Sequence, residues 1–178
     1  MEFFDLVNIS EQYMELASPT TPDKILTLGR YLRLRPDSRV IDFACGYGEA
    51  LALWAKEFGI MGVGIEVREH ACRRASAKLS ERGLSDDIEI VCIPAADYPS
   101  EGQSFDVATC IGASFIWGGY RPTIRAMRKA IRPGGRLAIG EPYWKSDDIP
   151  ARYRAKEPSV HSELELLQIA HQERLEFE

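Results

Sequence analysis

Five short apolar runs, separated by stretches with helical spacing, constrain this chain more than any other feature. The runs are RVIDFAC (39–45), MGVGIEV (61–67), IEIVCI (88–93), FDVATCI (105–111) and RLAIGEP (136–142). They are branched at many positions, which suits strands buried on both faces of a parallel sheet. After the first run, EALALWAKEF sets Leu51, Trp54, Ala55 and Phe58 at helical spacing, with Gly59 as the stop. After the second, REHACRRASAKLSERG reads as a helix ending at Gly83. RPTIRAMRKAI puts Pro122 in a first turn and Ile124, Met127 and Ile131 on an apolar face, and RPGG (132–135) then turns into the fifth run. This alternation predicts βαβ units with right-handed crossovers, and so an α/β fold, a three-layer αβα sandwich.

With 178 residues, 45% of them hydrophobic, the chain can bury about two-thirds of its unfolded surface, enough for a single domain. Residues 1–35 read as an N-terminal helical cap, in which Thr21 and Pro22 open a helix striped by Ile25, Leu28 and Leu32. Residues 36–142 form the five-strand core. Residues 143–178 supply a loop and a last helix that starts at His161 and turns Leu164, Leu167 and Leu175 inward.

Charge and cysteine usage narrow the class of partner. A net charge of −5 and a pI near 5.3 argue against a nucleic-acid or anionic-membrane surface. No run approaches the ~18 consecutive apolar residues of a membrane span, and MEFFDLVNIS has no basic region ahead of an apolar stretch. The four cysteines form no CxxC and no cluster with the three histidines, so no metal site is expected. They read as free thiols in a reducing compartment, and the expected location is cytoplasmic.

The most informative stretch is VIDFACGYGEA (40–50), a strand, a glycine turn and a helix start. Gly46 and Gly48 let the backbone turn sharply and approach a ligand, and the helix that follows presents free amides to an acidic group. One strand–helix–strand later, Glu66 ends the second run, where a carboxylate can accept hydrogen bonds from both hydroxyls of a ribose. A nicotinamide dinucleotide would call for GxGxxG. Counting from Gly46 the sixth residue is Leu51, and counting from Ala44 the first is alanine and the sixth Glu49, so both registers fail.

Asp42, Ala44, Gly46 and Gly48, with Glu66, resemble the glycine motif and ribose acid of the class I, Rossmann-like S-adenosylmethionine-dependent methyltransferases. The resemblance runs from about Thr21 to Trp144. The pairing of CIGASFIWGG with IGEPYW is similar to a bacterial branch that acts on small molecules. It implies S-adenosylmethionine as cofactor and S-adenosylhomocysteine as product. Gly46, Tyr47 and Gly48 would lie by the methionine part, and Asp42 would orient its amino group. Glu66 would hold the ribose, Val67 and Ala96 would flank the adenine, and Cys110 and Ile111 would supply backbone near the methionine end. Where relatives carry an Asp after the third strand, this chain has Pro94, with Asp97 three residues on.

Methyl transfer from a sulfonium is an in-line displacement, so the protein must align the nucleophile and exclude water. Residues suited to this follow the fourth and fifth runs: Trp117, Glu141 and Tyr143 as catalytic candidates, with Trp144 and Ser114 behind them. Each has a structural rival, since aromatics pack lids and Glu141 can pair with an arginine. The expected acceptor is a small molecule, with no nucleic acid and no membrane as partner.

The resemblance implies seven strands in the order 3-2-1-4-5-7-6, yet only about 36 residues follow the fifth run. Five parallel strands in the order 3-2-1-4-5 are therefore expected, with the final strands short or missing. Two further expectations follow. The fifth strand would be an open edge, so that the chain either forms a homodimer through that side or is marginally stable alone. The alternative to a working enzyme is a cofactor-binding protein with little or no turnover.

Overall fold

A computed structural model describes residues 3–100, 102, 104–146 and 148–177. The apolar runs form five parallel strands: β1 (Arg39–Phe43), β2 (Met61–Glu66), β3 (Ile88–Cys92), β4 (Phe105–Ile111) and β5 (Ile131–Gly140). Their order is β3-β2-β1-β4-β5, as expected. Burial on both faces explains the absence of alternation in β1, where four successive residues after Arg39 are buried.

One face is covered by α2 (Pro22–Tyr31), α3 (Glu49–Phe58) and α4 (Glu69–Glu81), which enclose Val40, Leu51, Trp54 and Leu79. Thr21 caps α2 as the sequence indicates, its hydroxyl accepting from the Lys24 amide, with Pro22 in the first turn. Gly29 lets α2 press against α3: a Cβ there would fall 2.5 Å from the Phe58 ring, and Trp54 Nε1 donates to the Ile25 carbonyl at 2.8 Å. The other face is covered by α5 (Tyr120–Arg128) and by short turns at Ala95–Asp97 and Ser114–Trp117, over Ile41, Phe43, Ile65 and Met127. α1 (Phe3–Ser10) precedes α2 and leads into a segment of turns and bends.

Four expectations need correction. β5 starts at Ile131, which pairs with Phe105, so this residue belongs to the sheet rather than to the preceding helix, and the RPGG turn is taken up as a register shift. His161 does not open a helix. It forms, with Ser162, the two-residue strand β7, which pairs in parallel with β6 (Tyr143–Trp144) in a separate small sheet. Ser162 caps α7 (Glu163–Gln172), after the short α6 (Ala151–Arg154). The leucines of α7 do not face inward: Leu164 and Leu167 are exposed, only Ala170 is buried, and the end of α7 docks through Glu173 to Arg121 and Arg125. Finally, the cysteines are not all free. Cys72 on α4 and Cys92 at the end of β3 are joined in a disulfide, with Cα atoms 5.9 Å apart, while Cys45 and Cys110 are buried thiols. The helix runs back against the strands, so the start of α4 meets the end of β3 and brings together two residues that the linear chain separates by 20.

β5 is the sheet's edge, and beside it runs a groove of about 800 Å³ lined by Leu28, Tyr31, Leu137 and Ile139 with the tail residues Leu175 and Phe177. Glu178 lies outside the described residues.

Candidate active site

Strand order reverses at β1: the chain moves outward through β2 and β3 on one side, then through β4 and β5 on the other. Ligands of open α/β sheets bind in the crevice at the carboxyl ends of such strands. The glycine turn sits there. Ala44, Gly46 and Gly48 all adopt left-handed backbone, with φ of 60°, 58° and 68°. Glycine takes this conformation without strain and alanine does not, so Ala44 carries a backbone cost that Gly46 and Gly48 escape.

Glu66 closes the turn from the side. Its Oε2 accepts the Gly46 amide at 3.0 Å, 20 residues back in the chain, and its Oε1 accepts the amides of Val67 and Arg68. The Arg68 Nε adds a further bond to Oε1 at 3.1 Å. The carboxylate is buried, and its position depends on backbone donors that the turn supplies.

Asp42 lies deeper, 4% exposed, and Thr109 on β4 donates to its Oδ1 at 2.5 Å. Burial pushes its carboxyl up to about 7, against the opposing Thr109 bond and with help from the negative Glu66 nearby. Tyr47 points away from the crevice to the N-terminal segment. Its ring lies under the guanidiniums of Arg74 and Arg68, 4.1 and 5.6 Å from the centroid, and its hydroxyl donates to Glu11. Val67 and Ala96 are exposed at the rim, Cys110 is fully buried, and Ile111 borders the crevice. Asp97 is exposed in the turn after β3.

The acceptor candidates gather at the ends of β4 and β5. Glu141 is half-buried, and its Oε1 is a buried acceptor that receives no hydrogen bond. Burial raises its proton affinity, while Ser114 and His161 pull in the other direction. The Nε1 of Trp144 is likewise a buried donor without a partner. Tyr143 is exposed, and the β6–β7 pairing sets it beside His161. Trp117 packs edge-on against Phe43 with centroids 5.3 Å apart, which is the structural role weighed against its catalytic one. Tyr13 faces solvent at 90% exposure.

Sequence reasoning missed Glu11, Arg68 and Thr109. Thr109 was readable as a polar residue inside an apolar strand. Arg68 meets Glu11 across 57 residues, a contact that no local pattern announces. Among the described residues no cluster of His, Cys, Asp or Glu could hold a metal ion.

A five-strand parallel sheet, a left-handed glycine turn at its switch point and an acid ending the second strand define a nucleoside-binding Rossmann-like domain. The chain belongs to the class I, Rossmann-like S-adenosylmethionine-dependent methyltransferases, since the methyltransferase-domain family model matches residues 40–135. The Escherichia coli K12 protein YjhP is 36% identical over 151 residues, which cover 85% of this chain and 60% of that protein. A SAM-dependent methyltransferase from Thiobacillus denitrificans, solved in complex with S-adenosyl-L-homocysteine, superposes with a TM-score of 0.86 at 32% identity. It covers 97% of this chain, which covers 71% of it. The 27-O-demethylrifamycin SV methyltransferase of Amycolatopsis mediterranei is 30% identical over 114 residues, 64% of this chain and 42% of that enzyme. The chain thus spans about 60% of the E. coli relative's length.

Proposed function

We propose that this chain binds S-adenosylmethionine and directs its methyl group to a small-molecule acceptor, leaving S-adenosylhomocysteine. The observation that carries the reading is the buried Glu66 carboxylate, locked to the Gly46 amide beside a triply left-handed turn at the switch point. The T. denitrificans relative, crystallised with S-adenosyl-L-homocysteine, supports the cofactor, and the rifamycin-modifying relative supports the acceptor class.

In this reading Glu66 accepts from the ribose diol, and Val67 and Ala96 flank the adenine. The methionine carboxylate meets the first amides of α3 past Gly46 and Gly48. Asp42 favours the amino group once ionised, and the backbone of Cys110 and Ile111 borders the methionine end. Bound there, the cofactor supplies an activated methyl group. The acceptor's electron pair forms the new bond to the methyl carbon as the carbon–sulfur bond breaks and its pair stays on sulfur. The chain's part is to hold both partners in line and keep water out. Glu141, with its unpartnered oxygen, accepts a hydrogen bond or a proton from the acceptor, and Tyr143 and Trp117 supply apolar walls.

The reading extends to the surroundings of the chain. With net charge −5, we assign it no nucleic-acid partner. No described helix is long and apolar enough to cross a membrane, and a cofactor made inside cells favours a cytoplasmic setting. A homodimer through β5 is also part of the proposal. Antiparallel pairing about Ala138 would set Leu137 opposite Ile139 and Arg136 opposite Gly140, with no like charges facing. Sedimentation over a concentration series tests this, and a monomer at tens of micromolar would reject it.

The function itself is tested by a labelled-methyl survey of cell extracts. Label should enter metabolites and leave RNA and protein unlabelled. Label mainly in RNA would overturn the acceptor class.

A further inference from the structure

One oxygen of the Glu66 carboxylate is saturated. Each carboxylate oxygen offers about two lone-pair sites. Oε1 already carries three donors, the amides of Val67 and Arg68 and Arg68 Nε, while Oε2 carries only the Gly46 amide, so the two hydroxyls of a diol find one open site and need a second from Oε1. Three of the four donors are backbone groups fixed by β2 and the glycine turn. Only the Arg68 side chain can leave by rotating about its own bonds.

That side chain also holds a second acid. Arg68 Nη1 donates to Glu11 Oε2 at 2.9 Å, with the arginine side chain 9% and the glutamate 19% exposed. Glu11 begins a strap, residues 11–18, that crosses the glycine turn. Arg74 donates to the carbonyls of Glu11, Gln12 and Met14, and Lys78 bridges Glu15 and Glu49 at 2.6 and 2.7 Å. Ala17 presses on the turn itself, since a Cβ at Gly46 would lie 3.2 Å from its own. Beneath the strap, bounded by residues 15–18 above and Asp42, Gly46 and Ile111 below, the cavity measures about 40 Å³. Small-molecule sites hold about 300–1,000 Å³. Asp42, Gly46 and Ile111 are the residues assigned to the methionine part of the cofactor, and a space of this size is too small to take it, so the strap has to move.

The geometry points to Arg68 as a positioning residue that couples the ribose acid to this strap. The diol of the cofactor takes Oε1 of Glu66 from Arg68 Nε, the arginine turns outward and gives up Glu11, and residues 11–18 lift from the glycine turn. Because linkage is reciprocal, closing the strap returns Arg68 to Glu66 and favours release of the product. The inference rests on the cofactor reading above and adds that Arg68 competes with the ribose. Removing the competitor or its strap anchor should therefore strengthen binding, whereas an arginine that merely packed the site, or touched the ligand, would weaken binding when lost.

The test combines stopped-flow association of S-adenosylhomocysteine with hydrogen exchange on the full chain, comparing wild type with Glu11→Gln and Arg68→Gln. In wild type the ligand should slow exchange at residues 44–50 and speed it at residues 11–18. Glu11→Gln, a surface-side change that leaves Glu66 and its backbone donors in place, should bind about tenfold faster, consistent with loss of one charge-assisted hydrogen bond. It should also exchange rapidly at residues 11–18 with or without ligand. Arg68→Gln should bind more tightly than wild type. Slower exchange of the strap on binding, or variants that bind no faster and no tighter, would overturn the coupling while protection at 44–50 left the cofactor reading intact. No protection at 44–50 in any of the three proteins would overturn both.

Discussion

The two ends of the site are built differently. At the ends of β1 and β2, each charged group named in the site has partners: Glu66 has four donors, Glu49 holds Lys78 and Arg82, and Arg68 spans two acids. At the ends of β4 and β5, Glu141 Oε1 and Trp144 Nε1 are buried without partners, while Tyr143 and Phe115 stand exposed. Buried polar groups are normally satisfied, because leaving one unpaired costs about 1–3 kcal/mol. The first region has its polar groups paired and is closed by the strap. The second keeps hydrogen-bonding capacity in reserve, as the proposed acceptor pocket would require.

Burial raises the proton affinity of a carboxyl in both regions, and the largest effect is expected at Asp42. Burial holds Asp42 at about 7 where an unfolded chain would titrate near 3.8. The folded chain therefore keeps a proton that the unfolded chain releases. The resulting stability is complete below pH 4 and is lost as pH rises toward and through 7. Three decades of proton affinity at about 1.4 kcal/mol each make a loss of about 4 kcal/mol. Asp42→Asn, which can still accept from Thr109, should remove this slope and be the more stable protein at pH 8 in urea titrations. An unchanged slope would place the sensitive group elsewhere.

Next in size is the disulfide, which braces the cofactor side alone. Closing a loop of 20 residues constrains the unfolded chain by about 3 kcal/mol. Cys72→Ser should lower stability by about that amount, and reductant should do the same to wild type only. Equal sensitivity of both proteins to reductant would contradict it.

Ala44→Gly should gain up to about 1 kcal/mol, since φ of 60° strains alanine and the extra freedom of glycine when unfolded offsets part of the relief. Thermal melts will show it. The smallest effect sharpens the contrast: Glu141→Gln should change S-adenosylhomocysteine affinity by less than about twofold, as a group outside the cofactor frame, while lowering methyl transfer. A large loss of cofactor affinity would merge the two regions into one.

This division also explains what was legible in the sequence. The β1–turn–α3 unit was readable because left-handed backbone at 44, 46 and 48 demands small residues at fixed spacing, and Glu66 follows one βαβ unit later. Strand positions were legible because buried parallel strands leave unbroken apolar runs, whereas the strand order was implied by the resemblance to the methyltransferase fold. The pairings that arise only when distant segments meet were not legible. Glu11 with Arg68, Cys72 with Cys92, and Tyr143 with His161 each join residues whose own neighbourhoods carry no sign of the contact. The last helix misled because leucines at helical spacing do not say which face is covered, and α7 docks by charge instead.

Calorimetry with S-adenosylhomocysteine on wild type and Glu66→Gln, with NAD as a control ligand, tests the central claim most directly. The account predicts one site per chain for S-adenosylhomocysteine, no heat with NAD, and binding weakened by roughly 1–3 kcal/mol in Glu66→Gln, because a charged acceptor is lost from the ribose. Binding of NAD with no response to S-adenosylhomocysteine would contradict it, as would a Glu66→Gln protein that binds S-adenosylhomocysteine as tightly as wild type.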